Sequence, residues 1–531
     1  MPRILRYAPA LLMLVAGGVA FLVARRLSTL PDGIVLDRMV ETVTRTPRHP
    51  LHSKSAPSSP RTLEIFSSAR PEETILRFPD SESYLAALAT PLAAGLEWRG
   101  QLDRLETIRL HYTHWASLAQ WVAALGYSGF SEPPPAPSVG LRSDGVDSSQ
   151  ALGFERNSVD WLGVPGRHPQ WGAGVRIAII DSGVVAHPEL RPATESIEIV
   201  PFPQDLSKTH PHGTSVASVI QGQGPRINGL APAAEIISIR AIDDEGQTDA
   251  YDFAAALLAA IDARVDLVNL SVGSLTGSSL EADAVQQAID AGIVVVAAAG
   301  NDAHDHLRFP AAYPGVISVG AIDAGGERMA FSNTGDHLAI VAPGVAMLTA
   351  APGNGYILTS GTSVSAPLVT AAIAATMSDG SGRHLSARQA ADLVLSLTDD
   401  MGPAGRDPEY GFGILNLSRI MNRSTMGIVD ACLTDQRLVR NATGQLSLRV
   451  TVQNRGTATL TNILVRIEPT GSLASIGLLK AGAVHSLDFP LGEFAPSIGL
   501  PVTFTSQITL SQGAADISQE DHQLTTRIFA P

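Results

Sequence analysis

Through its middle, this chain carries its apolar residues in short, nearly unbroken runs. They are VRIAII (175–180), EIISIRAI (235–242), VDLVNLSV (265–272), GIVVVAAA (292–299) and GVISVGAI (315–322). Helical patterns lie between several of them, among them AYDFAAALLAAIDA (250–263) and LEADAVQQAIDA (280–291). Continuous apolar strands alternating with helices predict a parallel sheet covered on both faces. In such sheets ligands bind beyond the carboxyl ends of the strands, so the residues following each run are the candidates for chemistry.

The flanks follow other periods. ETILRF (73–78) and LETIRLHY (105–112) read as strands. Leu85, Leu88 and Leu92 space as one helix face, as do Trp115, Leu118, Ala119, Val122 and Leu125, which predicts a small strand–helix–strand–helix unit. Pro, Ser and Thr dominate 41–60 and 131–150, two linkers. After residue 427 the period changes to two. Leu446, Leu448, Val450 and Val452 alternate with polar residues, as do Ile463, Val465 and Ile467, Val502 and Phe504, and Ile508 and Leu510. That is the mark of half-buried antiparallel strands and a β-sandwich. The expected fold is therefore α/β, a doubly wound parallel sheet, preceded by a small α+β unit and followed by an antiparallel sandwich. The expected divisions are 1–26, a linker over 27–60, the α+β unit over 61–130, a second linker over 131–154, the α/β domain over 155–425 and the sandwich over 428–531.

The amino end adds a targeting signal. Arg3 and Arg6 precede eighteen uncharged, mostly apolar residues, Tyr7 to Ala24, and Arg25 and Arg26 follow. This reads as an export signal or a membrane anchor, at the short end of spanning length. Either reading places the bulk of the chain outside the cytoplasm, secreted or held in the cell envelope. The net charge of −14 lacks the basic face that nucleic-acid binding needs. A single cysteine, Cys432, excludes an intrachain disulfide and a cysteine-built zinc site.

The strand exits hold the chemistry. VRIAII runs into Asp181-Ser182-Gly183, and GIVVVAAA into Gly300-Asn301-Asp302. Between them, HPHGTSVAS places His212 before Gly213 and a small-residue helix, and SGTSVSAP places Ser363 before the Ala-rich run LVTAAIAATM. A carboxylate, an imidazole, an amide and a hydroxyl beside small residues are the set that acyl transfer requires. Serine needs a base, histidine can accept its proton near neutral pH, a carboxylate orients the imidazole, and a tetrahedral oxyanion needs fixed donors. Each residue alone has an ordinary structural use as a cap or core polar group. The set in this order points to catalysis.

Residues 170–420 resemble the catalytic domain of the subtilisin-like serine peptidases, the subtilases. The matching segments are IAIIDSGV, HGTSVAS, VVAAAGND and GTSVSAP, with INGLAPAAEI, VNLSVGS, FPAAYPGVISVGA and YGFGILNLSRIM between and after them. Ser215 stands where the histidine motif often has a second histidine. The resemblance implies a serine endopeptidase acting on polypeptides, with Ser363 as nucleophile, His212 as base, Asp181 as its orienter and Asn301 as an oxyanion donor. It implies that Ser271, Val272 and Gly273 form an edge pairing with substrate backbone, with Gly246-Gln247-Thr248 on the opposite side. No cofactor is required for catalysis, and structural calcium rests on the resemblance alone. Unit 61–130 is similar in position to the inhibitory propeptides of this family, which implies a zymogen that cuts itself between Phe130 and Phe154. An accessory domain retained in the mature enzyme is the alternative. A catalytically silent fold serving as a surface binding or scaffold protein is the second functional reading, and the sandwich reads as a stabilising cap or an attachment module.

Three motifs lie outside this set. His304, Asp305 and His306 are metal ligands by type, but adjacent spacing favours a solvated loop over convergence on one ion. Asn441-Ala442-Thr443 fits a glycosylation acceptor. Arg308, just before Phe309-Pro310, either receives a substrate carboxylate or pairs with Asp302 or Asp305.

Overall fold

The computed structural model describes residues 62–128, 151–155, 158–382, 384–440, 445–496, 501–510, 516–517 and 522–528, with short pieces at 11–16, 19–24, 131, 133 and 139–140. Residues 1–60 form a unit of their own. The signal or anchor expected over 1–26 lies largely outside the described residues. What is described there is a pair of antiparallel strands, Leu11–Ala16 and Val19–Ala24. Among the described residues no helix is long and apolar enough to cross a membrane. Linker 27–60 and Asn441-Ala442-Thr443 also lie outside the described residues.

The unit beginning near residue 62 is a four-stranded antiparallel sheet carrying two helices. Its elements are β1 (Glu64–Ser67), β2 (Glu73–Arg77), α1 (Ser81–Ala89), β3 (Leu96–Leu102), β4 (Thr107–Tyr112) and α2 (Trp115–Ala124), in sheet order β1-β2-β4-β3. Two of these strands, β1 and β3, carry no clear alternation and were not expected. The expected Leu85–Leu88–Leu92 face is also displaced. Helix α1 ends before Pro91, so Leu92 lies beyond it. Leu85 is 60% exposed, and the helix buries Tyr84 and Ala87 instead. Along β4, Ile108 and Leu110 face this unit's own core with Leu76, Phe78 and Trp121. Arg109 between them points the other way, as the two-residue period requires.

The α/β domain is built on a seven-stranded parallel sheet. In chain order its strands are β5 (Arg176–Asp181), β6 (Glu195–Glu198), β7 (Glu235–Arg240), β8 (Leu267–Leu270), β9 (Val294–Ala298), β10 (Ile317–Ile322) and β11 (Ile340–Pro343), and across the sheet the order is β11-β10-β9-β8-β5-β7-β6. Strands β7 and β8 flank β5 in parallel. All five sequence-predicted runs are strands here, and β6 and β11 add the two edges. The helices α3 (His212–Gln221), α4 (Ala250–Asp262), α5 (Ser279–Asp290) and α6 (Thr362–Met377) cover the sheet, α3 beside α6 and α4 beside α5. Local chemistry sets their starts. Asp249 caps α4 by accepting from the N–H groups of Tyr251 and Asp252, and Ser278 and Glu281 form a capping box on α5. Every residue of α6 is buried, which its Ser, Ala and Thr side chains permit by letting neighbouring backbone approach.

The carboxyl-terminal region is two antiparallel sheets of three and four strands. Leu448, Val450, Val452, Ile463, Val465 and Ile467 pack into one core with Phe504 and Ile508, the residues whose alternation predicted it. This module is hydrogen-bonded to the α/β domain. Gln453 accepts from the Asp400 N–H at 3.0 Å and donates to the Thr398 carbonyl at 3.1 Å.

Candidate active site

Asp181 ends β5 and His212 opens α3. The Asp181 carboxylate has no exposed surface. It accepts from the Ser182 N–H at 2.7 Å, and its two oxygens lie 2.9 and 3.0 Å from His212 Nδ1. A carboxylate can only accept when ionised, so Nδ1 carries the proton and Nε2 is left as the basic nitrogen. Ser182 holds the two segments together. Its Oγ donates to the His210 carbonyl at 2.9 Å and accepts from the Gly213 N–H at 3.0 Å.

Ser363 is the second residue of α6. Its carbonyl accepts from Ser271 Oγ at 2.9 Å, and Ser271 Oγ accepts from Asn269 Nδ2 at 3.0 Å. Thr370 Oγ1, two turns along α6, donates to Asn269 Oδ1 at 2.9 Å. These buried polar groups tie the first turns of α6 to strand β8 and fix where the hydroxyl stands. Sequence reading missed Asn269 and Thr370. Polar residues in otherwise apolar runs were the available signal.

Asn301 follows β9. Its Oδ1 accepts from the Thr362 N–H at 2.8 Å and from Thr362 Oγ1 at 2.9 Å. A backbone N–H can only donate, so the amide orientation is set and Nδ2 is directed away from Thr362. A Cβ placed on Gly361 would lie 3.0 Å from Asn301 Nδ2 and 3.3 Å from Ser363 Oγ. Glycine, at φ +139°, keeps the space between amide and hydroxyl open. His212, Asn301, Thr362 and Ser363 line one cavity, with Val272 and Gly273 on its wall.

The remaining candidates divide. Ser271 lines this cavity, but its hydroxyl is committed to the Ser363 carbonyl. Gly246 is not among the lining residues. The segment after it is occupied by the chain itself, since Gln247 and Thr248 pair antiparallel with Gly140 and Val139. Arg308 lines the cavity and pairs through Nε with Asp302 at 2.6 Å. His304, Asp305 and His306 sit on the surface. Of the other two serines in SGTSVSAP, Ser360 accepts from the Ala346 N–H at 2.8 Å and Ser365 donates to the Pro343 carbonyl at 3.1 Å. They are anchors as well as small neighbours.

Residues 172–413 match the subtilase family. The chain is 32% identical over 288 residues to the minor extracellular protease Epr of Bacillus subtilis, covering 51% of this chain and 42% of that protein. It is 33% identical over 235 residues to subtilisin of Bacillus pumilus, covering 41% of this chain and 83% of the relative. Among solved structures, the protease domain of PatA is 30% identical with a TM-score of 0.44, covering 48% of this chain and 96% of that one. The chain spans less than half the length of Epr but most of the Bacillus pumilus subtilisin. With that coverage and the parallel α/β sheet, the chain belongs to the subtilase family.

Proposed function

We propose that this protein is a serine endopeptidase, exported, and made as a zymogen that processes itself. The observation that carries the reading is the Asp181–His212 hydrogen bond beside a cavity that His212 shares with Ser363 and Asn301. Ser363 Oγ attacks the scissile carbonyl carbon while His212 Nε2 takes its proton, and the carbonyl π electrons move onto oxygen. Asn301 Nδ2 and the Ser363 N–H stabilise that oxyanion. The imidazolium, held by Asp181, gives its proton to the leaving nitrogen as the C–N bond breaks. Water then repeats the sequence on the acyl-enzyme and releases the acid. Structural calcium remains an implication of the family. Among the described residues no group of three or more His, Cys, Asp or Glu side chains is placed to hold an ion.

Two observations support the zymogen reading. The 62–128 unit packs on α4 and α5 through ion pairs, and linker residues Val139–Gly140 add a strand to the Gln247–Thr248 edge, the geometry by which extended peptides are bound. Export is supported by the basic-flanked apolar amino end and by the relative named an extracellular protease. Substrate backbone would then lie between the 246–248 and 271–273 segments, and the divisions at 131–154 and 428 follow the same reading.

The test is labelling by a fluorophosphonate, which reacts only with an activated serine. Wild type should be labelled and hydrolyse a denatured protein, and Ser363→Ala should do neither. Absence of labelling in processed wild type would favour the silent scaffold.

A further inference from the structure

The cavity beside Ser363 has a floor that the peptidase reading leaves without a use. Arg308 is only 7% exposed, yet it reaches this cavity and donates a hydrogen bond through Nε–H to Asp302, which lines the same cavity. Its stem fills the depth between two glycine walls. A Cβ on Gly300 would lie 2.5 Å from Arg308 Cγ, and one on Gly273 3.2 Å from Arg308 Cβ. Without the arginine these walls would enclose a deep slot. With it the remaining volume is about 40 Å³, against about 300 Å³ for a second cavity that His212 also lines.

We propose that Arg308 and Asp302 together determine specificity, admitting a short, uncharged side chain at the substrate residue preceding the scissile bond. This rests on Ser363 being the nucleophile, because only then does the adjoining cavity receive that side chain. Length is limited by the arginine stem. Charge is excluded in both senses. An incoming carboxylate that reaches the guanidinium also meets Asp302, and an incoming ammonium that reaches Asp302 also meets Arg308. Each partner thus acts as the repulsive element against the ligands the other would attract. The two charges offset one another, so removing either member leaves the other's charge unbalanced in the cavity that both line.

The experiment measures kcat/KM for peptides differing only at that residue, bearing Ala, Ser, Phe, Glu or Arg. The enzymes are wild type, Asp302→Asn, Arg308→Gln and the double variant Asp302→Asn/Arg308→Ala. Wild type should prefer Ala and Ser over the other three by about tenfold or more. Asp302→Asn should raise the Glu-to-Ala ratio by roughly ten- to a hundredfold, and Arg308→Gln should raise the Arg-to-Ala ratio similarly. The double variant removes both charges and opens the slot, so it should gain on Phe by about tenfold or more and favour neither charge. If the single variants do not fold, the double variant decides by its gain on Phe. A wild type that cleaves best after Phe, single variants with unchanged ratios, or a double variant with no gain on Phe overturns the proposal. Fluorophosphonate labelling of each enzyme separates these results from failure of the nucleophile assignment, which would leave wild type itself unlabelled.

Discussion

Arg109 of the amino-terminal unit donates through Nη1 to Asp252 Oδ1 at 2.7 Å, across the boundary with helix α4. Its other terminal nitrogen bonds Asp249, the residue capping that helix, and its guanidinium lies 4.5 Å from the centre of the Tyr251 ring. Arg109 and both carboxylates are nearly inaccessible to solvent. Arg70 adds a partly exposed pair to Asp252 at 3.1 Å. One arginine thus joins the unit to the α/β domain at a fully desolvated point, whereas the pair of Arg77 with Asp283 at the rim is partly solvated.

Arg109→Ala should release the amino-terminal unit. The variant leaves the buried Asp249 without its cation and Asp252 with only the partly exposed Arg70, and removing one partner of such a buried pair costs about 3–5 kcal/mol. After processing, size-exclusion chromatography should show the two pieces separating in the variant under conditions where wild type keeps them together. Co-elution in both would place the attachment in the apolar contacts of Ile75, Leu102 and Leu105.

Association should also tighten on acidification. Burial pushes the Asp252 carboxyl up to about 6, with the neighbouring Asp249 adding to the rise and Arg109 and Arg70 opposing it. Once the unit leaves, Asp252 regains solvent and a value near the ordinary ~3.9. The assembled form therefore binds more protons between about pH 4 and 6. Its stability is fully present below that window, is lost as pH rises through it, and is lowest above pH 6. The difference is roughly 2–3 kcal/mol. Dissociation of the cleaved unit measured at pH 4.5 and 7.5 should show this, and Asp252→Asn should flatten the profile. A complex that loosens on acidification would contradict it.

Ser363→Ala should leave thermal unfolding nearly unchanged and lower turnover by about 10⁶-fold, the magnitude known for subtilisin. Asn301→Ala should lower kcat by about 10²–10³ through loss of one oxyanion donor. Residual peptidase activity in Ser363→Ala above a trace would remove that serine from the nucleophile's role.

Processing should create a new amino end between Leu141 and Phe154. The Val139–Gly140 strand pairs antiparallel with Gln247–Thr248, and the Pro-, Gly- and Ser-rich stretch that contains it is the extended kind of segment a peptidase cleft accepts. Amino-terminal sequencing of the mature protein locates the cut, and Ser363→Ala should accumulate at precursor length. Normal processing of that variant would assign the cut to another protease.

The local periods of the sequence were sufficient for the sheet and the sandwich. Ile177, Ile179, Val295 and Val319 are buried on both faces of a parallel sheet, and such strands need unbroken apolar runs. The positions of Asp181 and Asn301 were legible for a related reason, because a carboxylate or carboxamide ending such a run is a poor packing choice and stands out. Strand β3 was not legible, since LEWRGQL buries little besides its two ends and an edge strand with two wet faces imposes no period. The boundary of α1 went astray because the apolar spacing continues past Pro91, while the backbone cannot. Only the tertiary structure could assign Ser271 to the Ser363 carbonyl, Arg308 to Asp302 and Arg109 to Asp249 and Asp252. Hydrogen bonds and ion pairs join atoms across 92, 6 and about 140 positions of chain with equal ease. Sequence periodicity reports which face a residue takes. Which polar partner meets it there is decided by how the elements pack, and the low dielectric of the packed interior makes that choice of partner consequential.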